Sequence, residues 1–343
     1  MNAIYSRYTA LKMASPGKYA RDLAQEMGLS EAELTLARVG VDARPLRLEV
    51  AALLTALETV GETKSITRNE YAVHEQVGCY QNLHLSNHAG LVLNPRALDL
   101  RLFPGQWNSV FALNEQTARG ERHSIQFFDT YGDAVLKVYA TEQSDLTAWQ
   151  KLIETFTLAS APSLNLAKIT SPAYNDAPDH AQIEQQWRAM TDVHQFFRLL
   201  KQHNISRQQA FRAVSDELAY QVDNQALRQV LTSAQTQGNE IMIFVGNRGC
   251  VQIFTGKIES WRPIEHWVNV FNRTFTLHLQ ENTIAESWIT RKPTANGMVT
   301  SLELFAVDGT QIAQLYGQRT EGEAEQNVWR EQLATLAAEG AAA

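Results

Sequence analysis

Hydrophobic spacing along this chain changes from a helical to a strand period twice, in the same order each time. Over residues 16–59, Tyr19, Leu23 and Met27 recur four apart. Ser30 is placed to cap a second helix continued by Leu34, and a third is predicted near 50–59. Strand character begins at Lys64, with alternation over 98–103 and 124–128 and a turn at Tyr131-Gly132-Asp133. Residues 147–156 return to helical spacing and close the first cycle. The second cycle predicts helices within about 183–233, strands over 240–319 and a last helix near 325–337. Helices followed by a long run of strands, twice over, predict an α+β fold of two tandem structural repeats. Each is a large, mainly antiparallel β-sheet flanked by α-helices.

The two cycles also match residue by residue. Ser124-Ile125-Gln126-Phe127-Phe128 falls without a gap on Ser301-Leu302-Glu303-Leu304-Phe305, a shift of 177 positions (301 minus 124). At the same shift Leu98 to Leu102 falls on Phe275 to Leu279, which sets Arg101 against His278. Smaller shifts align Gly78-Cys79 with Gly249-Cys250 and Asn69-Glu70 with Asn239-Glu240, and the capped turn Gly28-Leu29-Ser30 corresponds to Asn204-Ile205-Ser206. Pro162, Pro172 and Pro178 break the periodicity between the copies. The expected division is a first repeat at 1–160, a linker at 161–180 and a second repeat at 181–343.

Composition narrows the classes of function. The 343 residues, 44% of them apolar, supply two cores better than one. A net charge of -7 gives no electrostatic ground for a nucleic-acid or anionic-membrane partner. The start at Met1 lacks a signal-peptide core and no run is long enough for membrane insertion, which predicts a cytoplasmic protein. Cys79 and Cys250, read as equivalent positions, lack CxxC or Cys/His spacing, so no structural zinc is expected. Residues 19–34 have the outline of a helix-turn-helix, the basis of a DNA-binding alternative, but Glu31 and Glu33 would face phosphates unfavourably.

The candidate chemistry centres on His194, in a helical stretch where Trp187, Met190 and Phe197 would share its face. An imidazole among large apolar side chains suits the axial nitrogen and apolar enclosure of a haem, but the helix alone reads first as an ordinary core or surface histidine. Arg101 sits on an alternating strand, on the face of Asp99 and Phe103. It either pairs with Asp99 or donates to an anionic ligand. Further cations gather in the second copy at Arg207, Arg291-Lys292 and Tyr316-Gly317-Gln318-Arg319. His84 and His88 are four apart, but Asn87-His88-Ala89-Gly90 reads as a turn, against a dedicated metal site.

Over Trp187 to Phe197, Val245 to Gly256, Tyr71 to Gly78, Arg96 to Phe103 and Tyr316 to Gly322, the sequence closely resembles the HemS/ChuS/HmuS family of bacterial haem-utilisation proteins. The resemblance spans nearly the whole chain and departs from the family pattern at Pro104-Gly105. It implies one haem in a ligand cleft between the halves, with His194 as proximal iron ligand, Arg101 near Phe103 on the distal side, and Arg207, Lys292, Tyr316 and Arg319 at the propionates. Phe197 joins the haem contacts, and His74 is implied as a secondary one. The implied activity is haem degradation, opening the porphyrin and releasing iron after import, with haem as substrate, an external reductant and no flavin. An inner-membrane haem ABC importer and a haem oxygenase or reductase are the implied partners. The alternative function is a non-enzymatic carrier that delivers haem to a separate haem oxygenase.

Overall fold

The structure is a computed structural model that describes residues 3–86 and 88–336. Those residues divide into two compact units. The first takes the described residues of 1–68, 74–169 and 246–252, and the second those of 69–73, 170–245 and 253–343. Each unit is therefore completed by a short segment from the other sequence half.

The first sequence half opens with α1 (Ala3–Ala14), α2 (Ala20–Glu26), α3 (Glu31–Ala37), β1 (Ala43–Leu46) and α4 (Val50–Leu57). Strands β2 (Glu62–Arg68), β3 (Ala72–Cys79), β4 (Leu83–Leu85), β5 (Gly90–Leu93) and β6 (Asp99–Leu102) follow. The long strands β7 (Trp107–Thr117), β8 (Gly120–Asp129) and β9 (Ala134–Ala140) precede α5 (Leu146–Phe156). The second half opens with α6 (His180–Arg188), α7 (Gln195–His203), α8 (Arg207–Arg212), β10 (Ala219–Val222) and α9 (Ala226–Gln237). It continues through β11 (Ile241–Gly246), β12 (Cys250–Gly256), β13 (Trp261–Ile264), β14 (Trp267–Phe271) and β15 (Phe275–Gln280). It ends with β16 (Ile284–Thr294), β17 (Gly297–Ala306), β18 (Gln311–Gly317) and α10 (Asn327–Ala334). Ala337, the expected end of that last helix, and Asn87 of the expected turn lie outside the described residues.

These strands form two nine-stranded antiparallel sheets, and the α+β class follows as expected. Within the first unit β1-β7-β8-β9-β2 are neighbours; within the second, β10-β16-β17-β18-β11 repeat that order. Strands β7, β8 and β9 map onto β16, β17 and β18 at one shift of 177 (284 minus 107), so the duplication holds through the longest strands. The capped turn recurs as well. Ser30 Oγ accepts from Glu33 N while Glu33 Oε2 accepts from Ser30 N, and Ser206 and Gln209 repeat both bonds. Asn204 takes φ 50 where Gly28 takes φ 70, both closing the preceding helix in the left-handed region.

Three readings of the helical segments change. Helix α1 gave no periodic signal because Tyr8 is its only buried residue. Tyr19, expected on a buried face with Leu23 and Met27, is exposed as the residue before α2. Strands β1 and β10 interrupt what read as continuous helical stretches; β1 is a four-residue edge strand carrying Pro45, too short for alternation to show.

The register near the cysteines also changes. Asn69 Oδ1 accepts from the N–H groups of Tyr71 and Ala72, and Asn247 Oδ1 accepts from those of Gly249 and Cys250. The matching turns set Asn69 against Asn247, a shift of 178 (247 minus 69), and Ala72 against Cys250. Cys250 thus begins β12 whereas Cys79 ends β3, so the two cysteines are not equivalent. Two-residue identities misled the alignment; the asparagine turn, with its geometric requirement, fixes it.

The second unit's core packs α9 and α10 on the sheet, with Leu227, Val230, Leu231, Trp329 and Leu333 against Ile243, Leu302, Leu304 and Leu315. At the end of β18 the chain runs against the fully buried Trp329. A Cβ at Gly317 would meet Trp329 Cγ at 2.6 Å and its Cβ at 2.8 Å. An indole locked in a core does not yield, so Gly317→Ala should lose about 1–3 kcal/mol of stability. A urea titration checks this, with the midpoint falling and the slope unchanged.

Candidate functional site

The expectation of one helix through 187–197 fails at Asp192. Its Oδ1 accepts from the His194 main-chain N at 2.7 Å, a local turn that competes with helical hydrogen bonding. Helix α6 consequently ends at Arg188 and α7 restarts at Gln195, with His194 at its head. Trp187 and Met190 turn into the core, while His194 and Phe197 stay at the surface, 84% and 64% exposed. The loop is tied down on both sides. Trp187 Nε1 donates to Arg291 O at 2.8 Å, and Ala295 N donates to Thr191 O at 2.9 Å.

The same Asp192 Oδ1 lies 2.7 Å from His194 Nδ1. An ionised carboxylate only accepts, so Nδ1 carries the proton and the Nε2 lone pair faces away from Asp192. The two hydrogen bonds from His194, the main-chain one foremost, hold the Asp192 carboxyl below its ordinary range. Arg319 adds to that fall, and its charge also acts on Tyr316.

Beside α7 the second unit buries one carboxylate among several donors. Glu303, on β17, has 0% exposure. It accepts from Arg207 Nε at 2.9 Å, Lys292 Nζ at 2.9 Å, Ser301 Oγ at 3.0 Å and Gln311 Nε2 at 2.7 Å. Gln314 Nε2 adds a further bond at 3.2 Å. Burial opposes the Glu303 charge, but Arg207 and Lys292 together take its pKa well below the carboxylate range. Burial likewise brings the Lys292 ammonium down to about 8, with Glu303 opposing the fall and Arg207 assisting it. The cations also rest on aromatic faces. Arg207 Cζ lies 4.9 Å from the Phe196 ring centre and 5.6 Å from that of Phe197, and Lys292 Nζ lies 4.8 Å from Phe196. Burial raises the Tyr316 hydroxyl pKa, and its ring packs edge-on against Phe244.

His194, Phe197, Arg207, Lys292, Tyr316 and Arg319 therefore belong to one neighbourhood of the second unit. Two cations against one buried carboxylate leave it net positive. Arg207 spends Nε and Nη2 on Glu303, whereas Arg319 has no ion-pair partner among the described residues.

Arg101 and Phe103 belong to the first unit. Arg101 Nη1 pairs with Asp99, the simpler of its two readings, and the arginine keeps 32% of its side chain exposed. Phe103 is 41% exposed and leads into the short 3-10 turn Pro104–Gln106, whose counterpart at the 177 shift is the 3-10 turn Glu281–Thr283.

Comparison with known proteins decides the family. Residues 28–156 and 204–336 each match the haemin-degrading HemS.ChuX domain. The chain belongs to the HemS/ChuX haemin-degrading family. It is 64% identical to the hemin transport protein HmuS of Yersinia pestis over 98% of both chains. The structure of the heme degrading enzyme ChuS of Escherichia coli O157:H7 superposes with a TM-score of 0.94 at 61% identity, covering 97% of this chain and 98% of that one. Holo-PhuS, a heme-binding protein of Pseudomonas aeruginosa, superposes with a TM-score of 0.95 at 42% identity, covering 98% of each.

Both HemS.ChuX domains carry a version of the polar cluster, but with charges exchanged. At the 177 shift the first domain has Glu115 for Lys292, Gln126 for Glu303, Lys137 for Gln314 and Glu142 for Arg319, and keeps Tyr139 for Tyr316. The shared cap sets Glu31 against Arg207. Glu31 is buried in an ion pair with Lys137, and Glu115 is taken by Arg38 and Arg122. Arg207, Lys292 and Arg319 thus have glutamates as their counterparts in the first domain. The same pairing shows why the 19–34 segment is a helical hairpin: its acidic helix docks on its own sheet through Glu31.

His74 is fully buried on β3, and its counterpart at the 178 shift is Gln252, also in the core. A group so enclosed reaches a surface ligand only if the strands around it open. Among the described residues no cluster of three or more His, Cys, Asp or Glu is placed to hold a metal ion.

Sequence reasoning passed over Asp192 and Glu303. The signal for Glu303 was a polar stripe on one sheet face, where Ser301 lies opposite Thr290 and Tyr316, and Glu303 opposite Gln314. Replacing Glu303 with Gln leaves two cations buried around a neutral group and should cost about 3 kcal/mol by urea denaturation. His74 gives a prediction in pH, because burial lowers its pKa to about 3, against an ordinary value near 6.5. Between those values only the unfolded chain takes up the proton, so stability falls as pH falls, by about 1.4 kcal/mol per unit from this group. His74→Gln should flatten the stability-pH curve in that window and leave its slope unchanged above about pH 7; an unaltered slope within the window would exclude the assignment.

Proposed function

We propose that this protein binds haem through His194 of the second unit and degrades it, opening the porphyrin ring and releasing iron with electrons from an external donor. The observation that carries the reading is the state of His194: an exposed imidazole at the head of α7, its Nδ1 engaged by Asp192 and its Nε2 without a hydrogen-bond partner among the described residues. Phe197, one turn along the same helix, offers an apolar surface for the macrocycle. Arg207, Lys292 and Arg319 make the surroundings positive, which matches the two propionates. Lys292 is itself buried on Glu303, so it acts on a propionate through its charge unless that pair opens.

The iron supplies oxygen activation when haem is bound, and the protein supplies ligation, orientation and electrostatics. Arg101 is the proposed further haem contact, a role that requires its guanidinium to share or leave Asp99. The family description and the naming of ChuS as heme degrading support degradation. The naming of HmuS as a transport protein supports the second reading, a carrier that hands haem on intact. On either reading haem comes from an inner-membrane importer and the protein works in the cytoplasm; none of its described helices is long and apolar enough to cross a membrane.

His194→Ala should abolish the histidine-ligated Soret spectrum; retention of that spectrum would remove His194 as ligand. Incubating the haem complex with reductant and oxygen, with catalase present to remove free peroxide, should bleach the Soret band and release chelatable iron. Haem recovered intact would replace the degradative reading with the carrier.

A further inference from the structure

We propose that Asp192 is a positioning residue for the haem ligand: it fixes the orientation of the His194 imidazole and strengthens its bond to iron. This rests on His194 as the axial ligand. Asp192 Oδ1 holds the His194 main-chain N and Nδ1 at 2.7 Å each, so one oxygen sets both where α7 begins and how the ring at its head is turned. The ring has no other hydrogen-bond partner among the described residues, and at 84% exposure it has no packing to confine it. Without the carboxylate the imidazole would rotate about χ1 and χ2 and exchange between tautomers.

The carboxylate's own position is secured from several directions. Gln195 N donates to Asp192 O at 3.2 Å, and Thr191 N donates to Gln195 Oε1 at 2.9 Å. Thr191 O is bonded by Ala295 N at the turn between β16 and β17, so the loop is referenced to the sheet rather than to solvent. A carboxylate that accepts from the distal nitrogen of a ligating histidine raises the basicity of the ligating one, and loss of such a partner typically weakens metal binding 10- to 100-fold. The charge of Arg319 also acts on this carboxylate.

The test uses the full chain loaded with haem, comparing wild type, Asp192→Asn, Asp192→Ala and His194→Ala. Resonance Raman of the ferrous complexes reads the iron–histidine stretch, and transfer of haem to apomyoglobin reads its release. Both Asp192 variants should shift the stretch to lower frequency and release haem roughly tenfold faster. Because Asp192 is half exposed on a loop, neither substitution disturbs a core. An unchanged stretch and release rate in both variants would overturn the proposal while leaving His194 as ligand. Persistence of the stretch in His194→Ala would overturn the ligand assignment, and this proposal with it.

Discussion

The arrangement of the second unit turns on one carboxylate that has no contact with water. A buried charge is tolerated only when opposite charges and hydrogen bonds replace its hydration, and Glu303 obtains these from four elements. Arg207 reaches it from α8, Lys292 from β16, Ser301 from its own strand and Gln311 from β18. Because Arg207 and Lys292 also lie over the aromatic rings of α7, satisfying Glu303 places the helix that His194 heads. One negative charge therefore holds two positive ones in place and leaves a net positive charge beside α7.

Duplication explains how such a site arose without a second copy of it. The cap at Ser30 and Ser206, the tyrosine of the ninth and eighteenth strands and the serine opposite it are common to both domains. The ionisable residues between them are exchanged, and in the first domain they neutralise one another as Glu31 with Lys137 and Glu115 with two arginines. The frame is common to the two copies of this chain, while the charges it carries differ between them.

Much of this could be read from the sequence because repeated local chemistry leaves repeated local signatures. The serine caps, the long strands at a constant shift and the Asp99–Arg101 pairing all depend on residues close together in sequence. The α6–α7 break escaped because helical spacing runs straight across it, while the side chains of Asp192 and Gln195 take main-chain N–H groups there. Glu303 escaped for a different reason: its partners lie on neighbouring strands and, for Arg207, on a helix 96 positions away, so they meet it only once the sheet has formed. The cysteine register failed where two-residue identities outweighed the turn geometry of Asn69 and Asn247.

Imidazole rescue of His194→Gly probes the central claim most directly. Without imidazole the haem complex should lack the histidine-type Soret and visible bands, and added imidazole should restore them by filling the vacated space with a free ligand. A histidine-type spectrum in His194→Gly before any imidazole is added would place the axial nitrogen elsewhere and contradict the account.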